Sequence, residues 1–127
     1  MLGNCDIATF IASSDPEKAR EFYGDKLGLN FVSEDQFALV FDANGTTLRV
    51  QKVKEISPHP YTSLGWHVPE IESAVKDLEK RGVQFERFEG FGQDELGIVT
   101  FPNGNKVAWF KDPDGNMLSL DNVGTTE

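Results

Sequence analysis

The feature that most limits the fold is an internal restart: Gly28-Leu29-Asn30-Phe31 is echoed 54 positions later by Gly82-Val83-Gln84-Phe85. Ahead of each tetrad the chain reads strand, then helix. In the first half Ile7, Thr9 and Ile11 alternate with Ala8, Phe10 and Ala12, the period of a strand. Ser14-Asp15-Pro16-Glu17 then signals a helix start, with Asp15 or Ser14 as cap and Pro16 in the first turn. Ala19, Phe22, Tyr23 and Leu27 make its apolar stripe, and Gly28 ends it. In the second half Leu64, Trp66 and Val68 alternate with Ser63, Gly65 and His67. Pro69 opens a helix there, Ile71, Ala74, Val75 and Leu78 follow the i, i+3, i+4, i+7 template, and Gly82 stops it.

Strands follow each tetrad. Leu29–Ser33, Phe37–Phe41 and Thr46–Val53 are expected in the first half, with Asn44-Gly45 as a hairpin turn. Val83–Phe88, Leu96–Phe101, Lys106–Phe110 and Met117–Leu120 are expected in the second, which carries an extra polar arm over residues 89–105. A lone half could not bury its sheet face. The pattern therefore predicts an α+β fold of two tandem βαβββ modules, residues 5–55 and 63–123, joined by the Pro-bearing linker 56–62. The two should pack side by side as one domain over 1–127, a cup-shaped mixed sheet with pseudo-two-fold symmetry.

The sharpest local signal is Trp109–Leu120, WFKDPDGNMLSL. Asp112-Pro113-Asp114-Gly115 suits a type I turn: Asp at the first position accepts a local backbone bond, Pro at the second fixes φ, and Gly fits the exit. Beyond it Leu118 and Leu120 share one strand face, while Met117, Ser119 and Asp121 share the other.

Composition sets the outer limits. With 39% apolar residues and ten phenylalanines in 127, a packed core is available and global disorder is excluded. A net charge of -9 with no basic face argues against nucleic acid. The acidic balance either keeps the protein soluble or lines a cavity for a cationic ligand. No stretch approaches the ~18 apolar residues of a membrane span, and Met1–Asp6 lacks a basic start followed by an apolar run. Cys5 is alone, which excludes an intrachain disulfide and a thiolate cluster. These features point to a cytoplasmic protein.

Three stretches in order, SSDPEKAREFYGDKLGLNF, LGWHVPEIESAVKDLEKRGVQFE and WFKDPDGNMLSL, resemble the vicinal oxygen chelate superfamily of glyoxalases, bleomycin-resistance proteins and extradiol dioxygenases. With the spacing between them they span nearly the whole chain. The resemblance implies a small-molecule ligand in the cup and a homodimer. In metal-using members of that family four ligands hold a divalent ion. The matching positions here are Ala8, Arg49, Ser63 and Ser119, and the polar neighbours Thr9, Gln51 and His67 supply no carboxylate. The resemblance therefore implies no bound metal, no other cofactor, and no metal-dependent chemistry of the usual kind.

Alternation places Ala8, Phe10, Ala12, Arg49, Gln51, Ser63, Gly65, His67, Met117 and Ser119 on the inner face. Arg49 suits a carboxylate or phosphate ligand, or pairs with one of the many acids. His67 is either a general base or a hydrogen-bonded strand residue without a visible carboxylate to orient it. Trp109, Phe91 and Phe41 either stack on a flat ligand or fill core. The loop Glu89–Gly97, with three glycines, reads as a flexible lid or a solvated arm. Three functions stay open. The first is metal-independent small-molecule binding through Phe10, Arg49, Gln51, His67, Trp109, Met117 and Ser119. The second is a glyoxalase-like lyase or isomerase, with Arg49 as anion clamp and His67 as acid or base on a small carbonyl or carboxylate compound. The third is a ligand-free structural or regulatory dimer.

Overall fold

The computed structural model describes residues 1–124 and divides into two compact units, one ending at Ser57 and one beginning at Pro58. The first contains β1 (Ala8–Ser13), α1 (Pro16–Arg20), β2 (Asn30–Glu34), β3 (Ala38–Ala43) and β4 (Thr46–Lys52). Its sheet has the order β1-β4-β3-β2, with β1 parallel to β4 and the other pairs antiparallel. Asp15 caps α1 by accepting the Lys18 amide at 3.3 Å, and Pro16 takes an early helical position where its missing N–H leaves no bond unmade. From Glu21 to Lys26 the helix widens into a π-helical turn, in which the Leu27 amide donates to the Phe22 carbonyl at 2.9 Å. The extra residue per turn leaves Phe22 and Tyr23 buried, but Leu27, expected in the same stripe, is only half-buried.

Tyr23 and Phe31 both lie against Phe41, with ring centroids 6.1 and 5.6 Å away, and Ile11, Leu39, Leu48 and Val50 complete this core. Two turns order the strands. Asn44 and Gly45 both take positive φ (53° and 92°), as a tight hairpin requires. The Asp35 carboxylate accepts the Phe37 and Ala38 amides at 2.8 and 3.0 Å, and those bonds hold its carboxyl below the ordinary aspartate range.

The second unit repeats the layout with β5 (Thr62–His67), α2 (Ile71–Lys80), β6 (Val99–Thr100), β7 (Lys106–Lys111) and β8 (Met117–Asp121). The sheet order is β5-β8-β7-β6, again with the first and last strands parallel. The chain is thus an α+β protein of two βαβββ modules, as the sequence pattern predicted. Ile71 and Val75 of α2 are buried, as are Ala108, Phe110, Leu118 and Leu120 of β7 and β8. Lys106 donates to Glu72 at 2.6 Å and ties α2 to β7; this bond holds the Glu72 carboxyl below its ordinary range and the Lys106 ammonium above its own. Among the described residues no helix is long and apolar enough to cross a membrane.

Four local expectations need correction. The second helix begins at Ile71, not Pro69, and Glu70 before it makes no side-chain cap. Val83–Phe88 is not a strand. Only Phe85 bridges Phe110, with the Glu86 amide donating to the Trp109 carbonyl at 2.8 Å, because Gln93 then takes over the backbone partners. The expected strand Leu96–Phe101 shrinks to Val99–Thr100. The register of β5 on β8 shifts between Thr62 and Leu64, so Thr62 pairs with Met117 while Ser63 falls in the irregularity without a register partner of its own.

The Asp112–Gly115 turn forms as expected, the Gly115 amide donating to the Asp112 carbonyl at 2.9 Å. Buried Asp112 also accepts the Asp114 and Asn116 amides at 3.0 and 2.9 Å and the Asn116 side-chain amide at 2.8 Å. Replacing it leaves several buried donors without an acceptor. Asp112→Ala should therefore lose about 2–3 kcal/mol of stability, measured by urea unfolding with an unchanged m-value. A loss within experimental error would show that the turn does not depend on this carboxylate.

Candidate functional site

The candidate surface of the second module follows from strand register. Thr62, Gly65 and His67 of β5 pair with Met117, Ser119 and Asp121 of β8, which in turn pair with Lys111, Trp109 and Val107 of β7. Paired residues share a face, so these side chains cover the side of the sheet opposite Leu118, Leu120 and Phe110. One end of that face is aromatic. The Phe88 and Phe91 rings lie 5.6 and 5.8 Å from Trp109, each at 80° to the indole, and 5.5 Å from each other. A cavity of about 330 Å³ opens there, lined by Pro60, Tyr61, Thr62, Phe88, Phe91, Trp109 and Met117. A larger hollow of about 570 Å³ runs along Glu79 and Gly82–Arg87, but its rim is mostly polar and it gathers no comparable set of rings.

The arm that carries Phe88 and Phe91 is fastened at many points. Gln93 Oε1 accepts the Phe88 amide at 2.6 Å, and Gln93 Nε2 donates to the Glu86 and Gly97 carbonyls at 2.9 and 2.8 Å. Arg87 donates to the Asp94 and Glu95 carbonyls, and Asp94 Oδ1 accepts the Leu96 and Ile98 amides, both at 2.9 Å. Gly90, Gly92 and Gly97 hold φ of 81°, 65° and 88°, so they are there for left-handed turns. The three glycines read as a mark of flexibility instead build a tied loop. The other wall comes from the linker. Pro58 Cγ stands 3.1 Å from the point where a Cβ on Gly115 would lie, and the rings of His59 and Tyr61 stack 5.0 Å apart.

The other end of the face is polar. His67 Nδ1 lies 2.6 Å from Asp121 Oδ1, and a carboxylate acceptor there places the ring proton on Nδ1. The imidazole is 67% exposed, which leaves Nε2 open to solvent or a ligand. Asp121 is the orienting carboxylate that sequence reading did not connect to His67. The strand alternation had already set it on the Ser119 side, but only the β5–β8 register brings it to His67. Between the two ends sits buried Ser119. At two residues per step, Met117 and Asp121 are about 13 Å apart.

In the first module Ala8, Phe10 and Ala12 pair with Thr47, Arg49 and Gln51, and Arg49 pairs with Val40 on its other side. Arg49 is half-buried beside apolar Phe10 and Val40, and among the described residues no hydrogen bond or salt bridge to it is formed. Phe10 is 52% exposed and Gln51 is exposed. Phe41, considered for stacking on a ligand, is fully buried against Tyr23 and Phe31 and belongs to the core. Phe88 and Tyr61 were not singled out from sequence. Only the folding of the arm, for Phe88, and of the linker, for Tyr61, brings them to the cavity that Trp109 lines.

Residues 7–120 match the family model of the Glyoxalase/Bleomycin resistance protein/Dioxygenase superfamily. The chain belongs to that superfamily. Solved structures agree on the fold. A glyoxalase family protein from Enterococcus faecalis is similar with a TM-score of 0.76 at 21% identity, covering 95% of this chain and 99% of that one. A superfamily member from Sphaerobacter thermophilus gives a TM-score of 0.71 at 28% identity, covering 91% and 94%. A lactoylglutathione lyase from Agrobacterium tumefaciens gives 0.68 at 17%, covering 93% and 92%. No curated protein matches the chain.

The four positions that the sequence resemblance matches to metal ligands are poorly equipped for that role. Ala8 has no donor atom, Arg49 carries a positive charge, Ser63 sits in the β5 irregularity and Ser119 offers a hydroxyl. Among the described residues no three His, Cys, Asp or Glu side chains gather where they could hold a metal ion. This donor set does not fit a divalent ion.

Gly65 gives Ser119 its place. A Cβ at position 65 would stand 2.6 Å from Ser119 Oγ and 3.3 Å from its carbonyl oxygen. Gly65→Ala should cost about 1–3 kcal/mol through overpacking, and Ser119→Ala in the same chain should recover most of that loss. A double-mutant cycle on unfolding free energies measures the coupling; strict additivity would refute the contact.

Proposed function

We propose that this protein binds a small organic molecule without a metal ion, seating it in the aromatic cavity of the second module. The observation that carries the reading is the Trp109–Phe88–Phe91 cluster beside a cavity of about 330 Å³. That volume is within the range of about 300–1,000 Å³ found for small-molecule sites, and predominantly apolar walls with few polar groups are their usual lining. Phe91 still exposes half of its surface, which a ligand would cover. Met117 belongs to its lining, and Ser119 and His67 are the polar groups further along the same sheet face. Superfamily membership supports the reading, as does the unsuitability of Ala8, Arg49, Ser63 and Ser119 as metal ligands. On the first module, Arg49 with Phe10 and Gln51 beside it is proposed as an anchor for an anionic group, because a half-buried guanidinium with no ion pair among the described residues has all its donors to offer.

One observation favours a second, enzymatic reading. The 2.6 Å contact of His67 with Asp121 orients the ring with Nε2 outward, the arrangement of a general base acting on a small carbonyl or carboxylate compound. A lyase or isomerase of that kind would move a proton through His67, with no metal to polarise the substrate.

Ligand binding is read from quenching of Trp109 fluorescence in a Trp66→Phe background across a panel of small aromatic and carbonyl metabolites. Phe91→Ala should weaken the best binder by about tenfold or more, as truncating a central aromatic contact does, while EDTA should change nothing. Loss of binding on chelation would overturn the metal-independent reading. Turnover of any panel member that disappears in both His67→Ala and Asp121→Asn, with binding retained, would establish the enzymatic reading over simple binding.

A further inference from the structure

Resting on the reading of the aromatic cavity as the ligand site, we propose that it selects organic cations: quaternary or alkylated ammonium groups, or pyridinium-type rings, carried on a compact apolar body. The walls are Tyr61, Phe88, Phe91 and Trp109, with the polarisable thioether of Met117 beside them. Both phenylalanine rings stand at 80° to the indole, so the cluster offers ring faces in more than one direction. Such faces carry the negative side of the aromatic quadrupole and attract a cation that has few water hydrogen bonds to lose.

The charges around the cavity act in the same sense. No lysine or arginine lines it. Arg87, on the arm, already donates to the carbonyls of Asp94 and Glu95. Lys111 pairs in register with Met117, and its ammonium lies 3.9 Å from the Glu86 carboxylate. Glu89, Asp94 and Glu95 occupy the same arm, Asp121 the same sheet face, and the whole chain carries a net charge of -9. An anion entering here meets repulsion and no cationic side chain among the lining residues, whereas a cation meets π faces and an attractive field. The polar side-chain groups of the lining are the Tyr61 and Thr62 hydroxyls and the indole N–H of Trp109, too few to reward a ligand rich in hydrogen-bonding groups.

The test uses three probes built on one ring system: N-methylquinolinium, quinoline at a pH where it is neutral, and quinoline-4-carboxylate. Binding is followed by the indole N–H resonance of Trp109 in the intact protein. Trp66 serves as the internal control because it lies on the opposite side of the same sheet, stacked 6.3 Å from Phe110. N-methylquinolinium should bind at least tenfold more tightly than quinoline, the carboxylate should be weakest, and Tyr61→Leu or Phe91→Leu should abolish most of the cation's advantage. If quinoline binds as well as the cation, selectivity for cations is refuted while the cavity remains a ligand site. If none of the three moves the Trp109 resonance, the cavity reading falls with it. A cation advantage unchanged in both leucine variants would place the selectivity in the surface acids and overturn the proposal.

Discussion

Parallel pairing of the first and last strands is the constraint on which the second module depends. Once β5 lies along β8 in its register, Gly65 is opposite Ser119 and His67 is opposite Asp121. The period of two then sorts everything else. Leu118 and Leu120 go to the buried side with Phe110, and Met117, Ser119 and Asp121 to the other with Trp109. A slip of one residue would turn Met117, Ser119 and Asp121 toward Phe110, and Leu118 and Leu120 toward Trp109. The irregularity at Ser63 shows how local that control is, since a single unpaired residue substitutes Thr62 for Ser63 beside Met117.

Where β pairing stops, side chains take over its work. The arm after Phe85 has almost no strand partners, yet its backbone groups are met by Gln93, Arg87 and Asp94. Gln93 matters most because one amide reaches three backbone groups and so joins the entry and exit of the loop. Phe88 and Phe91 are thereby presented to Trp109 by a fastened wall, and a ligand of the proposed kind would not have to meet the entropy of ordering it.

Much of the architecture was legible in the sequence. The restart at Gly82, the Asn44-Gly45 hairpin and the Asp112–Gly115 turn all depend on short-range chemistry that a linear reading can see. The site was legible only in part. Met117, Ser119 and His67 were set on one face by alternation within single strands, and Trp109 was singled out only as an aromatic that stacks on a ligand or fills core. Asp121 was placed on the right side but not beside His67, because register between distant strands is a tertiary property. Tyr61 and Phe88 escaped because a Pro-bearing linker and an irregular loop have no periodicity to extrapolate. The expected strand Val83–Phe88 failed for a related reason: its composition suits a strand, but Gln93 competes for its backbone partners.

The contact of Pro58 with Gly115 has a wider consequence. Two residues beyond Pro58 the linker becomes cavity wall at Pro60 and Tyr61, while Gly115 belongs to the turn that joins β7 to β8. Wall and hairpin are therefore close neighbours, with little room between them for a side chain at position 115. A molecule that fixes Tyr61 also restrains Pro58 against the turn, and by linkage part of its binding free energy appears as resistance of that hairpin to local opening. Occupancy would then be reported by backbone amides that never touch the ligand.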